Sequence, residues 1–268
     1  MIGQRAIVAH KMRRILIGLV VLAILVILTF TLVFFAVKYG WTNVAGTIDT
    51  GFTPLPEGQI PAWSKTLEWQ TLATALAKDQ AVIAKVSQQT GVPARLIVAM
   101  IVPEQLRLYF SEREIFKQVF SPLKILGNQV QFSWGVAGLK QETAKEIERR
   151  DTTHLLDFTS LPAPAGPTRT PDEERFNRIT DEHNHYYSYL YVALYLKEIE
   201  AEWRQAGFDI SDRPEILATL FNIGFAHSQP KANPQVGGAE IEINDQKYSF
   251  GAMADQFYTT RVLLPTIN

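Results

Sequence analysis

The sequence predicts a mainly α-helical protein in which one N-terminal transmembrane helix precedes a helical domain carrying a small β-hairpin. Three observations predict this: an unbroken apolar run over 15–37, apolar residues returning at helical spacing through much of 64–268, and one short alternating stretch over 238–250. The chain has 268 residues, 47% of them hydrophobic and 20% charged, which suits one globular domain plus an extra apolar element. A formal net charge of -1 provides no basic surplus to neutralise phosphates, so no nucleic-acid partner is expected. The absence of cysteine excludes disulfides, thiolate metal sites and cysteine nucleophiles. Of the histidines, only His183 and His185 are close, and a spacing of two places them on different sides of a helix, so neither a metal nor a cofactor is expected.

At about 1.5 Å per residue the run over 15–37 is long enough to cross a bilayer core of about 30 Å. It exceeds a signal-peptide core and continues into Lys38, Tyr39 and Trp41, so it reads as an uncleaved signal anchor with an aromatic belt. Arg5, Lys11, Arg13 and Arg14 precede it and Lys38 alone closely follows. The positive-inside rule therefore makes 1–14 a cytoplasmic tail and sends the remainder to the outer side of the membrane. Residues 38–63 are rich in Gly, Thr and Pro and read as a tether.

The domain is expected over 64–268. Ser64 is placed to cap a helix starting at Lys65, with Leu67, Leu72, Leu76, Val82, Ile83 and Val86 forming a packing stripe that lasts until Gly91. Pro93 opens a second helix, almost wholly apolar from Leu96 to Val102. Pro103 is expected to kink or end it, leaving Glu104 at an irregular point, followed by Gln105. A carboxylate at the rim of a buried apolar helix has its neutral form favoured, as a general acid requires. The opposing expectation is an exposed carboxylate paired with Arg107 at i+3.

Next come a charged and aromatic stretch over 111–117 and then Ser133-Trp134-Gly135-Val136-Ala137-Gly138-Leu139-Lys140, whose two glycines point to a close backbone approach. Residues 157–171 read as an exposed loop. A Tyr- and Leu-rich amphipathic helix runs from Tyr186 to Trp203, its aromatics assigned to the core, and Pro214 opens another helix ending near Gly224. Asn244-Asp245 turns the hairpin, and a last helix spans 251–260.

In order and spacing, four segments resemble the lysozyme-like lytic transglycosylase family. They are Val92 to Glu104; Ser133, Gly135, Leu139, Lys140, Thr143 and Ala144; Ala193-Leu194-Tyr195-Leu196; and Phe221-Asn222-Ile223-Gly224. The resemblance covers about 70–225 and implies a lysozyme-like domain that cleaves the β-1,4 bond between N-acetylmuramic acid and N-acetylglucosamine in peptidoglycan. It implies Glu104 as the single general acid and base, with Ser133, Gly135, Lys140, Gln105 and Asn222 holding the glycan. The chain departs from the family at Gln105, where a small residue is usual, at Gly138, where Gln is usual, at Gln141 for Pro, and at Phe221 for Tyr. Glu112, Glu114 and Glu142 are the candidates for a second carboxylate, which a lysozyme needs and a transglycosylase does not. The resemblance implies glycan strands, the inner membrane and proteins of cell-envelope assembly as partners, and with the anchor it implies a bacterial cytoplasmic membrane with the domain in the periplasm or its extracytoplasmic equivalent. The alternative expectation is a catalytically silent lysozyme-like scaffold that binds glycan or protein.

Overall fold

A computed structural model describes residues 2–38, 47–56, 58–110, 133–156, 170–181, 183–260 and 262–263. Two compact units result, one containing the N-terminal helix and the other all remaining described elements. Helix α1, Ile2–Lys38, begins within the segment expected to be a tail. Its stretch Met12–Leu32 has a mean hydropathy of 3.1, and none of that stretch is buried in the protein. The length and composition suit a membrane span. Thr29 and Thr31, polar residues inside the stretch, donate to the carbonyls of Leu25 and Ile27, so neither hydroxyl depends on water.

The second unit is helical, with three two-stranded antiparallel pairings. The single helix expected from Lys65 to Gly91 forms as two, α2 (Leu67–Lys78) and α3 (Gln80–Thr90), separated at Asp79. Thr66 rather than Ser64 caps α2, accepting from the Trp69 amide, while Ser64 donates to the Pro61 carbonyl. Leu67, expected in the packing stripe, is exposed. Gly91 ends α3 in the left-handed conformation, with φ 75°.

Helix α4, Ala94–Phe110, forms the centre and packs against α2 and α3 and, from later in the chain, α7 (Tyr186–Gln205), α8 (Pro214–Ile223), α9 (Phe250–Thr259) and a hairpin strand. Every residue from Arg95 to Glu104 is buried, as an apolar run on all faces requires. Pro103 does not end the helix, which continues to Phe110. Losing one backbone donor is tolerated because packing on every side holds the helix together.

Helix α5, Gln141–Arg150, follows a short strand pair, and α6, Pro171–Ile179, was not anticipated from the sequence. Thr170 and Glu173 form a capping box at the start of α6, with Pro171 in its first turn. Tyr189, Tyr191, Tyr195 and Trp203 of α7 are all buried, as expected. The hairpin pairs Glu240–Ile243 with Gln246–Ser249. Asn244 and Asp245 both take positive φ at its turn, 50° and 62°.

Part of the expected tether belongs to this unit. Thr47 and Ile48 pair with Gly238 and Gly237, Ser249 donates to the Asp49 carboxylate at 2.9 Å, and Trp63 is buried with its indole N–H on Gln256 at 2.9 Å. A Gly- and Pro-rich composition reads as a linker, but pairing with the Gly237–Gly238 strand and an apolar site for Trp63 recruit it.

Candidate functional site

The site is built around Glu104, whose position on α4 places a carboxylate inside the protein with 3% of its surface exposed. Both expectations for this residue are partly met: it is buried, and it is paired. Arg107, one helical turn on, donates from Nη2 to both carboxylate oxygens at 2.7 Å. The Nε of Arg107 is buried and has no hydrogen-bond partner among the described residues.

The Ser133–Trp134 and Leu139–Lys140 strands pair across a tight turn that packs onto this end of α4. Gly138 lies against Glu104: a β-carbon there would be 2.2 Å from Oε1 and 2.3 Å from Cδ. Its φ is 59°, so the position requires glycine both for its backbone and for the space the carboxylate occupies. Gln105 donates to the Val136 carbonyl at 2.6 Å, tying the same turn to α4. Gln105 and Gly138 thus tie the same turn to α4 at two points.

The other side of the turn rests on α6 and α7. A β-carbon on Gly135 would fall 2.1 Å from the Ile179 carbonyl oxygen and 3.1 Å from Ser188 Oγ, and Ser188 itself donates to that carbonyl at 2.8 Å. Helix α6 is in turn fastened by charge. The guanidinium of Arg175 donates to Glu148 on α5 and to Asp172, and the Tyr191 hydroxyl of α7 also donates to Glu148. Burial, reinforced by the Glu148 carboxylate, pushes the Tyr191 hydroxyl well above the usual tyrosine range, so it remains a donor. Gln141, where the family pattern has Pro, donates to the Asp172 carbonyl at 3.0 Å and joins the same brace. Ion network, α6, Ile179, Gly135 and Gly138 thus form a continuous support ending at the Glu104 carboxylate.

Lys140 is the last residue of its strand and directly precedes α5, and the Ser133 backbone pairs with it. Asn222, expected to face the site, uses its side-chain oxygen to accept the Ala239 amide at 2.8 Å, so it holds the strand leading into the hairpin. Phe221 is buried between Tyr195, at 5.3 Å between ring centroids, and Phe250, at 6.3 Å. Glu142 is exposed in the first turn of α5; Glu112 and Glu114 lie outside the described residues. Among the described residues no cluster of three or more His, Asp or Glu side chains could hold a metal ion.

Two buried ionisable residues drew no attention from their local sequence. Arg95 lies on α4 and donates to the carbonyls of Phe257, Tyr258, Thr260 and Val262 around the end of α9. Asp255 on α9 is buried, and burial first, then the neighbouring Glu215, pushes its carboxyl up to about 6. Neither shows a local motif; each follows from which helix ends meet.

No protein family, curated protein or solved structure matches the chain.

Proposed function

We propose that this protein is a membrane-anchored, lysozyme-like enzyme of the bacterial cell envelope that cleaves peptidoglycan glycan strands as a lytic transglycosylase. The observation that supports this best is the meeting of two distant segments, with the Glu104 carboxylate seated against the Gly138 backbone in the turn between the Ser133 and Lys140 strands. A helix carrying one carboxylate and a glycine turn laid over it is the arrangement the four-segment resemblance calls for.

Glu104 protonates the glycosidic oxygen between N-acetylmuramic acid and N-acetylglucosamine, and its conjugate base then takes the proton of the 6-hydroxyl as that oxygen closes on the anomeric carbon. The product is a 1,6-anhydro sugar, and one carboxylate suffices. The backbone of Gly138 forms the wall beside the acid, Gly135 seats the same turn on α6 and α7, and Gln105 holds it to α4. Helix α1 anchors the chain with its N-terminus in the cytoplasm, because the basic residues precede the span, and the domain works outside the membrane. Glycan strands are its substrate, and envelope assembly proteins are its candidate partners.

A second reading, a catalytically silent scaffold, draws on the Arg107 pair, since both oxygens of Glu104 are occupied at 2.7 Å. The deciding experiment is digestion of purified peptidoglycan by the full chain in detergent micelles, with Glu104→Gln alongside. The enzyme reading expects anhydro-muropeptides from the first, reduced by about 10²–10⁴-fold in the variant. Release from neither leaves only the scaffold.

A further inference from the structure

The Arg107 side chain is held in an incomplete way. Its Nη2 alone serves both oxygens of Glu104, and its Nε is buried with no acceptor among the described residues. A guanidinium binds a carboxylate best through two parallel N–H groups, and a buried donor without an acceptor is unfavourable. The free protein therefore keeps Arg107 in a pose that an incoming carboxylate can improve on once the side chain turns away from Glu104 and presents its Nε and Nη2 together. The same exchange takes the guanidinium off Glu104. Oε1 and Oε2, both engaged in the free protein, then become available to the glycosidic oxygen.

We infer that Arg107 is the specificity-determining residue of the site, reading a carboxylate on the glycan and exposing Glu104 only when that carboxylate is bound. The inference rests on the glycan-cleaving reading and deepens it, because it selects carboxylate-bearing glycans over neutral ones of the same backbone. Two sources supply that chemistry: the lactyl group of a muramic acid stripped of its peptide, and the carboxylates of an attached peptide stem. Gly138 gives the exchange its geometry, since its backbone blocks one side of the Glu104 carboxylate and leaves Arg107 on another.

The test uses the full chain in detergent micelles and three substrates: peptide-free strands, strands retaining their stems, and neutral chitohexaose. Wild type is expected to cleave at least one carboxylate-bearing strand about tenfold or more faster than chitohexaose, the range of a charge-assisted pair. Arg107→Gln lowers the rate on that strand at least about tenfold more than on chitohexaose, and Arg107→Lys, which keeps the charge without the fork, falls between. Preference for peptide-free strands identifies the lactyl group; preference for strands with stems identifies the peptide.

A spectroscopic arm separates reading from support. In ¹⁵N-arginine-labelled protein, the Nε–H signal missing from Arg107→Gln is expected to shift on adding the N-acetylglucosaminyl-N-acetylmuramic acid disaccharide, free or bearing its peptide stem according to which strand is preferred, and to stay in place with chitobiose. Equal loss on charged and neutral substrates in Arg107→Gln, or a signal unmoved under both the bound disaccharide and its bound stem-bearing form, overturns the inference while the enzyme stands. No cleavage and no binding of any of these glycans by wild type overturns the glycan reading, and this inference with it.

Discussion

Replacing Gly138 by alanine isolates the contact on which the site depends. Three glycines share a left-handed backbone and differ in surroundings. Gly91 has φ 75° with no atom within 4 Å of its would-be β-carbon, Gly138 has φ 59° with the Glu104 side chain at 2.2 Å, and Gly135 has φ 69° with the Ile179 carbonyl oxygen at 2.1 Å. The Gly91→Ala change measures the left-handed backbone alone and should cost about 1 kcal/mol. Gly138→Ala adds a displacement: restoring ordinary contact moves the carboxylate by about 1 Å, which takes it out of hydrogen-bond range of Arg107. Losing a largely buried pair reaches about 3–5 kcal/mol when the partner is deleted outright, but here both groups stay and relax, so about 1–3 kcal/mol is added, for a total of about 2–4. The assay is urea unfolding of the full chain in micelles, followed by the fluorescence of the buried Trp63, Trp69 and Trp203. In a Glu104→Ala background the added part should vanish, so the double-mutant cycle should show a coupling of about 1 kcal/mol or more. A Gly138→Ala cost equal to that of Gly91→Ala, or a coupling near zero, refutes the contact and the account of the site built on it.

Asp255 should make stability fall with rising pH. Its folded carboxyl is pushed up to about 6 from an ordinary 3.8, so the folded state holds the proton where the unfolded chain has lost it. The contribution is complete below about pH 4 and is lost by about pH 6, amounting to roughly 1–3 kcal/mol. The difference in unfolding free energy between wild type and Asp255→Asn, measured from pH 4 to 8, should shift in favour of the variant over that window. Arg95→Met keeps the bulk of the side chain and removes its donors from the carbonyls at the end of α9. It should cost about 3–4 kcal/mol, read as a lower urea midpoint at unchanged slope. Thr170→Ala removes one half of the α6 capping box and should cost about 1 kcal/mol in the same measurement, with the amide protection of α6 falling first.

Chemistry that acts over a few residues was legible in the chain itself. The apolar run of α1, the hairpin about Asn244-Asp245, the Pro214 start of α8 and the all-apolar face pattern of α4 each follow from spacing and turn residues, and each forms. The capping box at Thr170 and Glu173 is just as local, but the Pro-rich stretch before it reads as a loop and hides the start of α6. The sequence alone determined that Glu104 follows an apolar helical run and that a glycine turn comes later in the chain. Only the tertiary structure decided what those residues meet. Burial on every side carried α4 through Pro103, a strand edge drew Thr47 and Ile48 out of an apparent tether, and Ala239 claimed the side chain of Asn222. Gly138 reads by itself as a departure from a pattern, and it becomes a necessity once the carboxylate of Glu104 occupies the space where a β-carbon would be. The physical reason is the same throughout: periodicity and capping are properties of a segment, whereas the solvation and pairing of a charge belong to whatever the fold brings against it.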